Sequence, residues 1–277
     1  MRIFITFFAL ALCGAWNWAG TPSLEQQLRT EYVGTERLLR NFYAADSLKF
    51  DAQGTPLNKE RLAPWTLVAP LVIDKVEFKG GKLRLQGHRQ LLVFDNTNKR
   101  MTRLKSEETC SLEIGTVDGA QQEAQLREAL ARVFIGKDED MAPLLPDYWR
   151  DYISRFSGRK TEGEPCEESK AVENGTAPVQ VSAGVSEGMK IESAVPVYLP
   201  VARMHRVQGE VGMRAVIDKS GNISRICLTK ALGAGLDDMM VSTVRQWKYR
   251  PYLLNGQPVE IQTTIVTRFG LSRVRPG

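Results

Sequence analysis

The sequence has little of what metal or nucleophile chemistry needs. Its 277 residues hold only two histidines, His88 and His205, far apart in the chain. Its four cysteines include no CxxC pair, so the spacing of a zinc site is missing. Ser220 and Ser242 stand in no recognisable arrangement with either histidine. Gly233-Ala234-Gly235 lacks the lysine and spacing of a phosphate loop. Asp237 and Asp238 are adjacent, and neighbours on a helix do not face each other. They read as helix-start carboxylates, placed where exposed N–H groups favour negative charge. These absences argue against an enzyme and leave no catalytic, cofactor or metal residue to name.

Long apolar runs are also scarce. The only one, from Ile3 to about Trp16, follows a single arginine. It is short for a bilayer span, which takes about 20 apolar residues. Residues 1–20 therefore read as a signal peptide, with an anchor formed by residues 3–19 as the alternative. Either way the protein is exported, and its expected place is a bacterial periplasm. Export permits disulfides. Cleavage would leave Cys110, Cys166 and Cys227; Cys227 lies in an apparent strand and reads as a small core residue, while Cys110 with Cys166 is a conceivable pair.

What the chain does have is patterning. Hydrophobic residues make up 43% and charged residues 25% of it, as in a soluble globular protein. Ser23 and Gln26 form a capping box. Leu24, Leu28, Tyr32, Thr35, Leu39 and Phe42 then recur at helical spacing, predicting a helix to about Tyr43. From Thr66 the period becomes two. Gly80-Gly81 is a hairpin turn, Leu83 and Leu85 lie on the return strand, Leu91–Phe94 starts another strand, and Asp95–Asn98 is a turn. Glu108–Ile114 is a further strand, and Gln121–Phe134 and Pro146–Phe156 are helices. Residues 21–156 thus form an α+β domain of unassigned function. Residues 157–177 are polar and aperiodic and read as a linker, which as a flexible coil would span roughly 25 Å.

The last part, residues 178–277, is basic, with 13 Lys or Arg against 7 Asp or Glu. Val207–Ile217 alternates as a strand, Asp218–Gly221 is a turn, and Asn222–Thr229 is a second strand. Leu236, Met240, Val244 and Trp247 mark a helix that Pro251 ends. Asn255-Gly256 is a hairpin turn, followed by a long alternating strand from Pro258 to Phe269. Arg245, Lys248 and Arg250 interleave with Trp247 and Tyr249, a pattern nucleic-acid binders share. At helix-to-strand spacing the aromatics face inward, however, and export argues against nucleic acid.

An ordered set of residues carries a resemblance. Tyr198–Arg203, Val207–Val211, Asp218–Gly221, Gly235–Asp237, Trp247–Pro251 and Asn255–Val259 together resemble the TonB C-terminal domain over about 185–270. The expected fold is therefore α+β, with a C-terminal ββαβ antiparallel domain after a separate α+β domain. The resemblance implies a non-enzymatic periplasmic protein that binds an extended segment of an outer-membrane transporter, or of another envelope protein, by strand addition. If the N-terminus is an anchor, it also implies an inner-membrane proton-driven motor as partner. The alternative is a secreted ligand- or envelope-binding protein acting through residues 21–156, with the TonB-like domain for docking or homodimerisation. The candidate contact surface is the last strand and its flank: Arg250, Ile261, Thr263, Thr264, Ile265, Val266, Thr267, Arg268 and Phe269. Between Pro258 and Phe269 only Glu260 and Arg268 carry charge, a thin defence for a strand edge.

Overall fold

In a computed structural model the described residues are 22–156 and 177–271. The signal or anchor segment, almost all of the polar linker and the last six residues lie outside them. The N-terminal half is a six-stranded sheet with helices, and the C-terminal half is built on a four-stranded one.

The elements of the N-terminal half are α1 (Leu24–Tyr32), β1 (Glu36–Leu39), β2 (Ser47–Phe50), α2 (Trp65–Val68), β3 (Pro70–Phe78), β4 (Lys82–Asp95), β5 (Arg100–Gly115), α3 (Gln122–Val133), β6 (Phe134–Ile135) and α4 (Asp147–Phe156). Their sheet order is β2-β5-β4-β3-β1-β6. The capping box at Ser23 and Gln26 is present, but α1 stops at Tyr32 rather than Tyr43. Gly34, at φ 75°, turns the chain there, and Leu39, expected on the helix, is a buried residue of β1. Local helical spacing was overridden by pairing with β3 and β6. Gly80 and Gly81 both have positive φ, as a two-residue hairpin turn demands. The two short strands expected around Leu83 and Leu91 are one strand, β4. It has a register shift against β5 between His88 and Gln90, a bulge of the kind that bends a strand. Arg89 at this bend is fully buried. Its guanidinium donates to the carbonyls of Val68 (2.5 Å), Tyr43 (3.1 Å) and Ala45 (2.7 Å).

The C-terminal half contains β7 (Val179–Gln180), α5 (Ala183–Met189), β8 (Lys190–Glu192), α6 (Pro200–Met204), β9 (Gly209–Ile217), β10 (Ile223–Lys230), α7 (Leu236–Val244), β11 (Lys248–Tyr249), β12 (Tyr252–Leu254), β13 (Gln257–Val259) and β14 (Ile261–Phe269). The main sheet runs β10-β9-β14-β7. The expected strand from Pro258 to Phe269 is two strands. β13 pairs with β12 across Asn255-Gly256, and β14 pairs with β9 along its whole length.

The halves share one core. Phe42, Trp65, Leu92, Phe94, Trp149 and Tyr152 join Val211, Met213, Leu228, Leu236 and Met240 in a single buried cluster. Trp149 packs edge-on to Trp65 with ring centres 5.2 Å apart. Beyond Arg89 β4 no longer pairs with β3, and the loop 232–234 takes that edge of β4. Phe94 N–H donates to Leu232 O (3.1 Å) and Ala234 N–H to Leu92 O (2.8 Å). Gly233 is required at this crossing. Its φ is 88°, and a Cβ there would lie 2.1 Å from Leu92 O.

Asp237 secures the same loop from inside. It is fully buried and accepts from the amides of Leu232 (2.8 Å) and Gly233 (2.7 Å). Asp238 accepts from the Tyr148 hydroxyl (2.8 Å) and the Trp149 indole (3.3 Å) on α4. Both stand in the first turn of α7, as the sequence predicts, and both also tie α7 to the N-terminal half or to the loop that meets it. The cysteine readings change too. Cys110 is free and buried, and Cys227 is disulfide-bonded.

Two outcomes follow from this junction. Gly233→Ala adds both strain and a backbone clash and should cost about 2–4 kcal/mol in urea unfolding of the full chain. Burial, reinforced by the neighbouring Asp238, pushes Asp237 up from its ordinary 3.8 to about 7. A raised carboxyl binds more protons folded than unfolded, so stability falls as pH rises from about 4 to about 7. The carboxylates of Glu113, Glu139 and Glu210, held low by hydrogen bonds from Lys82, Arg40 and Lys230 respectively, act the other way, but only as pH falls through and below the ordinary carboxylate range. The melting temperature should therefore be higher near pH 5 than at pH 8, and Asp237→Asn, though less stable, should flatten that slope.

Candidate functional site

The candidate site is the outer side of β14. In a strand, successive residues turn their backbone N–H and C=O to opposite sides. Gln262 O accepts from Val181 N–H (2.9 Å) on the β7 side, so Thr264, Val266 and Arg268 aim their backbone groups the same way. Pairing with β7, which is parallel, covers only Ile261 and Gln262. From Thr264 to Phe269 no described strand occupies this side. The opposite side of the sheet is obstructed: α4 packs on β10, and Arg155 donates to Leu228 O (2.8 Å).

Beside the open rungs runs a groove of about 470 Å³. Its floor and walls are Thr264–Thr267 of β14, Ala183, Gly184, Ser186 and Glu187 of α5, Lys190, and the aromatics Trp247 and Tyr249. Each wall has a local cause. Ser182 caps α5 by accepting from Val185 N–H, which turns the chain away from β14 after two rungs. Ser186 and Thr263, both buried, share a hydroxyl hydrogen bond of 2.9 Å. Trp247 donates its indole N–H to Ala194 O (2.8 Å) and supports the Lys190 ammonium 3.9 Å above its ring, a cation–π contact. Lys190 also pairs with Glu187 at 2.8 Å. Tyr249 is held well above its ordinary ionisation range, first by burial and then by the charge of Glu187, to about 12; its phenol is neutral throughout the physiological range.

The sequence-predicted residues separate on this geometry. Thr264, Val266 and Arg268 present backbone outward, and Val266 is 56% exposed, a large apolar side chain beside the open rungs. Ile265 and Phe269 are buried under the sheet, and Thr267 is half-buried and lines the groove. Ile261 is covered by β7, and Thr263 is tied to α5, so neither is free for a partner. Arg250 stands apart from the groove's lining, its N–H bonded to Met189 O (2.8 Å). The charge of Arg268 is shared: it pairs with Glu210 (3.1 Å), which also takes Lys230 (2.9 Å). Reading the sequence missed Ser186, Glu187 and Lys190. The Ser182 cap followed by Val185-Ser186 was the available signal, but the segment is too short to show a period.

Comparison with known proteins places this half of the chain. Residues 194–271 match the family model described as Gram-negative bacterial TonB protein C-terminal. They are a TonB C-terminal domain. Protein TonB of Vibrio cholerae serotype O1 is 32% identical over 77 residues, which cover 27% of this chain and 32% of that protein. The chain thus spans about a third of the length of this curated relative. A solution NMR structure of the Pseudomonas aeruginosa TonB C-terminal domain is also similar, at 21% identity, covering 31% of this chain and 88% of that one, with a TM-score of 0.27. The TonB domain matched here excludes β7, α5 and β8, which lie before residue 194. Among the described residues no helix is long and apolar enough to cross a membrane, and no group of three or more His, Cys, Asp or Glu is placed to hold a metal.

The Ser186–Thr263 bond is directly testable. Ser186→Ala leaves a buried Thr263 hydroxyl short of a partner and should cost about 1 kcal/mol in urea unfolding. It should also speed hydrogen exchange at the Val181 amide, because the stop formed by β7 and α5 loosens.

Proposed function

We propose that this is a non-enzymatic periplasmic protein whose TonB domain binds an extended segment of an outer-membrane transporter, or of another envelope protein, by adding that segment as a strand to β14. In this reading the chain transduces inner-membrane proton-motive energy to the transporter if its N-terminus is an anchor, and serves as a docking protein if it is not. The single observation that carries the reading is the run of outward backbone groups at Thr264, Val266 and Arg268 beside the groove. Backbone hydrogen bonds supply the affinity in such additions, and alternate side chains supply the selectivity. The edge carries little of the usual protection: no proline, and one charge already engaged by Glu210. The disulfide at Cys227 agrees with an oxidising compartment. Because the two halves share a core, anything docked on β14 is held in fixed relation to the N-terminal half.

The test is site-specific cross-linking in cells, from cysteines placed singly at Thr264, Val266 and Arg268 and at the exposed turn residue Lys219. Adducts containing an outer-membrane transporter or another envelope protein are expected from the three strand positions and not from Lys219. A second change, Val266→Pro, removes one outward N–H and should reduce adducts from Thr264 and Arg268 at least fivefold. Equal adducts from Lys219, or none from the strand, would overturn the reading.

A further inference from the structure

What the groove selects can be read from its closed end and its charges; the inference rests on the strand-addition reading above. The open edge has a stop. β7 occupies the first two rungs of β14, and the buried Ser186–Thr263 hydrogen bond seals the boundary. An incoming strand cannot extend past Thr264 without displacing β7. At the other end β14 finishes at Phe269. The free length is therefore Thr264 to Phe269, which matches a guest of five or six residues at about 3.4 Å per residue.

Two ionisable side chains of α5 and its exit line the groove, and they are unequally placed. The Lys190 side chain is 12% exposed, whereas that of Glu187 is 69% exposed. Lys190 is fixed: its ammonium lies over Trp247, and its backbone belongs to β8, paired with β11 through Tyr249. Glu187 holds it from the solvent side through an ion pair whose carboxylate end is solvated, which weakens the contact. A strand laid along β14 covers the groove and expels its water, which strengthens whatever charge interaction remains inside. A guest cation would then face Lys190 directly.

We propose that the groove takes a five- or six-residue extended segment with a carboxylate directed at Lys190, and that Glu187 is the counter-ion this carboxylate displaces. Lys190 is then the residue that distinguishes acidic from neutral or basic guests, and Glu187 competes with the guest.

The test uses the full chain, labelled with nitrogen-15, and capped hexapeptides of alternating Val and Thr. A glutamate stands at the third or the fourth position, so that one of the two frames turns it to the groove. Matched probes carry glutamine or lysine instead. Shifts at the Thr264, Val266 and Arg268 amides report binding. The better glutamate probe should bind roughly three- to tenfold more tightly than its glutamine match, the gain of one partly shielded ion pair. Lys190→Gln should erase that difference. Glu187→Gln should increase affinity for the glutamate probe, a gain that a purely structural role for the pair would not give. If the edge amides respond equally to glutamate and glutamine probes, the charge selection is wrong and strand addition stands. If no probe moves those amides, strand addition fails and this proposal with it.

Discussion

Loop 231–235 is the constraint on which the rest of the molecule depends. It must leave β10, cross to the N-terminal half and turn into α7 within a few residues. Gly233 permits the approach, because no side chain fits against Leu92 O. Asp237 holds the loop's amides from within, and Asp238 ties α7 to Tyr148 and Trp149. A buried carboxylate is costly unless hydrogen-bonded; here two amides meet Asp237, and burial still leaves its proton affinity raised. The junction therefore titrates close to neutrality, and it does so at the point where the two halves meet.

That junction also decides which side of the C-terminal sheet is available. With α4 lying on β10 and Arg155 bonded to its backbone, the β10 side is engaged within the molecule. The β14 side is left with three outward rungs. The short β7–α5 segment then limits the opening rather than closing it. It uses two rungs, turns away at the Ser182 cap and provides one wall of the groove.

The sequence showed a good part of this. Alternation in β9, β10 and β14, the glycine turns at Gly80-Gly81 and Asn255-Gly256, and the helix start at Leu236 were legible because each rests on local chemistry. The last strand was legible as a strand, but how its outer side is covered was not. That Ile261 lies under β7 and Thr263 under Ser186 depends on a two-residue strand and a seven-residue helix, too short to carry a period. The long helix expected to Tyr43 failed for a related reason: Leu39 and Phe42 fit helical spacing by coincidence, and Gly34 with strand pairing decided otherwise. The shared core was invisible as well. Trp65, Phe94 and Trp149 are simply apolar in sequence, and their place beside α7 depends on contacts between elements far apart in the chain.

The most direct test of the open edge is amide hydrogen exchange along β14 in the full chain without a partner. Ile265 and Thr267, paired with β9, should exchange slowly, while Thr264, Val266 and Arg268 between them should exchange quickly. Slow exchange at all five positions would show the edge already occupied and would contradict the account.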